Sequence, residues 1–109
     1  MANALKVLGQ SAPGAAALTT IYTVPAATTA VASSIVVCNR SATATTFRVA
    51  VRPAGAAISN EMYQYFDVSI PGNDTFIATI GITLATTDIV SVYATLATVS
   101  FSLFGQENT

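Results

Sequence analysis

From Thr45 to Arg52, Phe47, Val49 and Val51 alternate with Thr46, Arg48, Ala50 and Arg52. Successive side chains of an extended strand point to opposite faces, so a period of two marks a strand with one buried face. Pro53-Ala54-Gly55 then stops it. The same grammar recurs from Tyr63, where Phe66, Val68 and Ile70 oppose Tyr65, Asp67 and Ser69, with Tyr63 on the Tyr65 face. Pro71-Gly72-Asn73-Asp74 supplies turn chemistry. Beyond it Phe76, Ala78, Ile80, Ile82 and Leu84 alternate again, with Gly81 marking a bulge or a close backbone approach. A turn near Thr86-Thr87-Asp88 separates this run from Val90-Ser91-Val92, and Val99 to Leu103 closes the pattern.

The first half adds three strands. Leu5–Gln10 is closed by Gly9, Thr19–Val24 ends at Pro25, and Ala30–Asn39, apolar on both faces around Ile35 to Cys38, has the composition of a central strand. Abundant alanine favours helix by propensity. Thr, Val and Ile favour strands, because a branched Cβ fits the pleated surface, and the periodicity decides for them. The expected fold is all-β, an antiparallel β-sandwich or jelly roll of about eight short strands. Residues 1–18 are expected to form an N-terminal strand and extended arm, and residues 19–109 a single sandwich domain. The longest expected loop runs from Ala54 to Met62, with room for a helical turn.

Ionisable chemistry is scarce: no histidine, one cysteine, four basic and five acidic side chains in 109 residues. Acid–base and metal catalysis recruit imidazoles, thiolates or clustered carboxylates, so the composition argues against an enzyme and for no cofactor. Asp67, Asp74 and Asp88 are candidates for a carboxylate pair or a calcium site. Two of them sit in turn contexts, and no Asp-x-Asp-x-Asp loop is present. Lys6 is the only lysine available to a Ser–Lys pair. Cys38, in a β-branched run, reads as a small buried hydrophobe.

The charge balance disfavours nucleic-acid binding, which needs clustered Lys and Arg; Arg48 and Arg52 share a face but make a weak footprint. The apolar stretches are interrupted by Gly, Pro, Ser and Thr, unlike a membrane-spanning helix. No apolar segment follows Lys6 as in a secretory signal, so synthesis in a cytoplasm is expected. Asn39-Arg40-Ser41 and Asn73-Asp74-Thr75 match the N-glycosylation pattern but read as turns at strand ends. Tyr63 and Tyr65, if outward, mark a contact surface.

Leu8-Gly9-Gln10, Ile21-Tyr22-Thr23-Val24-Pro25 and Ile35-Val36-Val37-Cys38-Asn39-Arg40 together resemble a group of small virion-associated proteins of tailed bacteriophages. The likeness continues through Val68 to Thr75, Gly81-Ile82-Thr83-Leu84 and Val99 to Gly105. The resemblance implies a β-rich protein at the virion surface, made in the host cytoplasm. It implies either a homotrimeric capsid cement (decoration) protein binding the major capsid protein or another virion protein, or a neck or tail fibre module. The receptor-binding alternative recognises host glycans through Tyr63, Tyr65 and the 54–62 loop. A hydrolase or lyase of surface polysaccharide using the aspartates is a third reading. Candidate interface residues are Leu5, Val7, Leu8 and Leu18 of the strand and arm, Arg48 and Arg52, and Tyr63 and Tyr65. Neither nucleic acid nor membrane is an expected partner.

Overall fold

The computed structural model describes residues 3–109. Its strands are β1 (Asn3–Ser11), β2 (Thr19–Thr23), β3 (Thr29–Asn39), β4 (Thr45–Arg52), β5 (Tyr63–Ile70), β6 (Thr75–Leu84), β7 (Ile89–Ala94) and β8 (Val99–Asn108). Each expected strand is present, and the 54–62 region holds two short 3-10 turns, Pro53–Gly55 and Asn60–Met62. All pairings are antiparallel. First pairs with last and the pairs nest inward: β1 with β8, β2 with β7, β3 with β6, β4 with β5. Two further ladders, β3 with β8 and β4 with β7, complete a first sheet of order β1-β8-β3-β6 and a second of order β2-β7-β4-β5. A long antiparallel ribbon rolled into two sheets is a jelly roll, so of the two expected architectures the more specific one is found.

The core lies between the sheets. Ile35, Val37, Phe101 and Leu103 of the first sheet face Phe47, Val49, Val92 and Ala94 of the second, all essentially inaccessible. Phe47 is the hub, its ring 6.1 Å from Phe101 across the sandwich and 5.2 Å from Phe76. These tilted and edge-on geometries match the ring quadrupoles and stabilise beyond simple burial. Close backbone approach, within the first sheet at Gly105 and between the sheets at Gly9, also needs missing side chains. A Cβ on Gly105 would lie 2.0 Å from the Val31 carbonyl oxygen, and one on Gly9 would lie 2.1 Å from that of Ile21.

The N-terminal segment departs from the expected arm. Strand β1 is an integral edge strand, in register with β8 from Asn3 to Ser11 across a bulge at Leu8. That bulge turns Leu8 into the core. Residues 12–18 do not extend; Pro13 is buried and Ala16 takes a left-handed turn (φ 53°), its N–H donating to the Ala94 carbonyl at 2.8 Å. This segment crosses from the first sheet to the second. Met1 and Ala2, the start of the expected arm, lie outside the described residues. Cys38 also departs from expectation: it is half-buried on the outer side of β3, opposite Ser100 and Thr75, and not in the core.

The chain ends are tied by a small polar cluster. Glu107 of β8 accepts hydrogen bonds from Lys6 Nζ (3.0 Å) and from the buried Tyr22 hydroxyl (2.5 Å). Burial, reinforced by the carboxylate, raises the Tyr22 pKa. The Tyr22 hydrogen bond, then that of Lys6, lowers the pKa of Glu107. A carboxylate whose folded pKa is depressed stabilises the fold above its unfolded pKa, and that contribution fades as pH falls through the folded value. Glu107→Gln is therefore expected to lower Tm by roughly 2–6 °C at pH 7. Thermal scans at decreasing pH should show the gap to the parent protein closing below about pH 4, the unfolded carboxylate range.

Candidate functional site

The sandwich presents two outer faces of opposite character. On the first sheet, the ladder register places the outward residues in rows across all four strands. One row is Gln10, Ser102, Val36 and Ile77; the next is Val7, Phe104, Ser34 and Thr79; a third is Leu5, Gln106, Val31 and Thr83. Cys38 lies between Ser100 and Thr75 in a fourth. No Lys, Arg, Asp or Glu occupies an outward position in these rows. Lys6 alternates away from Leu5 and Val7, and its ammonium is drawn to Glu107 at the sandwich end. Three large apolar side chains stand open on this face, Leu5 (83% exposed), Ile77 (69%) and Val7 (48%).

The outer face of the second sheet is partly roofed. Residues 53–62 fold back over it, and Arg52 fastens them, donating to the carbonyls of Ala56 (2.8 Å) and Gly55 (3.2 Å). Asp88 fastens the same excursion by accepting the Ala54 N–H at 2.9 Å. Ala50 and Ser91, outward by register, are fully buried. Next to this roof lies an aromatic cluster around Arg48. Its guanidinium carbon is 4.1 Å from the centre of the Phe66 ring, 4.5 Å from Tyr93 and 5.8 Å from Tyr63. Arg48 Nε and Nη2 donate to the two carboxylate oxygens of Asp67 at 2.7 and 3.3 Å, a forked pair that raises the pKa of the guanidinium.

The cluster depends on two irregularities in β5. Phe47 pairs with Val68 and Val49 with Tyr65, so Phe66 and Asp67 together face the single residue Arg48. Asp67 takes a left-handed conformation, φ 50°. A second shift sets Ala50 opposite Tyr63, leaving Gln64 unpaired. Each extra residue reverses which side chains point inward. Tyr63 and Tyr65 therefore do not share a face, contrary to the expectation from alternation. Tyr65 points into the core, 5.5 Å from Phe76 and 6.3 Å from Phe47, while Tyr63 points outward and meets Phe66 edge-on at 5.0 Å. Phe66, expected inside with Val68, is 55% exposed. Alternation alone gives no signal for such a bulge without glycine.

The remaining candidates are dispersed. Leu8 is core, Leu18 lies on the crossing segment, and Leu5 and Val7 belong to the uncharged face. The three aspartates stand apart: Asp67 binds Arg48, Asp74 accepts the Thr75 N–H, and Asp88 also accepts the Ala85 N–H. Among the described residues, no three His, Cys, Asp or Glu side chains gather as a metal site, and no helix is long and apolar enough to cross a membrane. The basic side chains are all engaged, Arg40 through the Ala97 carbonyl at 3.1 Å. No protein-family model matches the chain, and neither a curated protein nor a solved structure matches it.

Proposed function

We propose that the chain is a non-enzymatic structural protein of a tailed-phage virion, a homotrimeric cement protein that docks on the assembled capsid through the outer face of the first sheet. The observation that carries this reading is the charge-free face of four strands with Leu5, Val7 and Ile77 open on it. Removing such a face from water requires no stripping of ions, and apolar burial supplies about 25 cal/mol per Å2. Its Ser and Thr side chains are short, so ordering them costs little entropy. A protein that binds only the assembled lattice stabilises the lattice by linkage. Jelly rolls serve in viral capsids and in lectins alike, so the fold permits this role without dictating it. The number of copies is the one the family resemblance implies.

Sedimentation of the free protein and co-sedimentation with expanded capsid shells tests the proposal. Expected are a particle of three times the chain mass and saturable attachment to shells. The absence of both attachment and self-association would overturn the reading. A stable trimer that ignores shells would move the chain to a neck or tail fibre.

A further inference from the structure

We infer that the corner formed by Phe66, Tyr63 and Asn60 is a binding site for a neutral pyranose sugar. These residues line a hollow of about 400 Å3 beside the 53–62 roof, within the size range of small-ligand sites. Two aromatic walls meet there nearly at right angles, with an interplanar angle of 78°. Asn60 forms the third side, and its side-chain amide makes no hydrogen bond within the described chain. A pyranose matches this set. Its axial C–H bonds present an apolar face to a ring, and its equatorial hydroxyls both donate to and accept from an amide.

The corner is built and held, not merely exposed. Strain is held in the middle of β5, where Asp67 stands at φ 50°, in the left-handed region that a residue with a Cβ seldom adopts. The result is an apolar ring directed to water. Arg48 supports that ring at 4.1 Å, and Asp67 anchors Arg48 in turn. Bulges near sheet edges commonly re-aim a side chain in this way. The same pairing fixes the class of ligand. With the guanidinium satisfied by a carboxylate and flanked by Phe66 and Tyr93, no charge is left over to select an acidic sugar or a phosphate. The site lies on the sheet opposite the proposed docking face, so it is independent of that reading and open when a capsid is bound.

Saturation-transfer NMR with the methyl glycosides of glucose, galactose, mannose, N-acetylglucosamine and glucuronic acid tests the assignment. Transfer to the ring C–H protons of at least one neutral glycoside is expected. Phe66→Ala should weaken that binding about tenfold, and Asn60→Ala about fivefold. Ile77→Ala, on the opposite sheet, should leave it unchanged. Both site residues are exposed, so the thermal melts of these variants should stay close to the parent. The assignment is overturned by absence of transfer from every neutral glycoside, by binding that survives Phe66→Ala, or by binding confined to the glucuronide.

Discussion

Asn39→Ala is expected to cost about 2–4 kcal/mol of unfolding free energy, lowering Tm by roughly 10–25 °C with an unchanged denaturant slope. Asn39 ends β3 and is 1% exposed. Its amide nitrogen donates to the carbonyls of Thr43 (2.8 Å) and Pro71 (3.2 Å). Its amide oxygen accepts from the Ser41 N–H (3.2 Å) and the Thr98 hydroxyl (3.3 Å). One side chain thus joins three connections at one end of the sandwich: β3 to β4, β5 to β6, and β7 to β8. Alanine fills less space and leaves these groups without their partner, and an orphaned buried polar group costs more than a satisfied one contributes. The backbone around it is equally close: the Asn73 N–H donates to the Ser41 carbonyl at 2.8 Å, and a Cβ on Gly72 would lie 2.1 Å from the Ala42 oxygen.

Asn39→Asp separates hydrogen-bond chemistry from packing, since it keeps the shape and removes both donors. The new carboxylate would face two carbonyl oxygens, which disfavours its charged form and raises its pKa above the unfolded value. A group with a raised folded pKa destabilises most above that pKa and recovers as pH falls through it. Denaturation melts should therefore show Asn39→Asp close to Asn39→Ala at pH 7 and partly restored near pH 4. Little deficit for Asn39→Asp at either value, with Asn39→Ala still destabilised, would mean that volume, not the donated hydrogen bonds, governs the site.

The sequence pattern at Asn39 shows why some features were readable and others were not. A turn at the end of the β-branched strand was legible from Asn39-Arg40-Ser41, because turn chemistry is local. Its partners Pro71 and Thr98 are far along the chain, and only the nested strand pairing brings them near. Strand positions were legible for the same reason as the turn: alternation, Pro and Gly act within a few residues. The Gly81 bulge carried a marker and has φ 57°, whereas the bulge at Phe66–Asp67 has no glycine and hid behind an intact-looking alternation. That one irregularity moves Phe66 to the surface and Tyr65 to the core, so the aromatic site was misplaced by one position. The low charge of the chain was visible at once. Its concentration as a charge-free outer sheet was not, because that depends on which strands are neighbours.

Ile77→Lys is expected to abolish capsid attachment while leaving the free protein as stable as the parent to within about 0.5 kcal/mol. Ile77 is 69% exposed and faces outward from the edge strand β6, so a lysine there stays in water when the protein is alone. In a docked complex the ammonium would be buried in a face that offers no carboxylate. A buried unpaired charge costs about 3–5 kcal/mol, a loss of affinity of roughly 100-fold or more. Leu5→Lys, three strands away on the same face, should act in the same direction. Phe66→Lys, on the opposite sheet, should leave attachment intact. These point charges are the sound test of the N-terminal strand. Deleting residues through Leu18 would remove all of β1, strip Leu8 from the core and expose the edge of β8. Such a truncation would fail by unfolding whichever surface does the docking. Co-sedimentation of the lysine variants with expanded shells therefore decides the docking face: loss at Ile77 and Leu5 with binding retained at Phe66 supports it, and retained binding at all three excludes it.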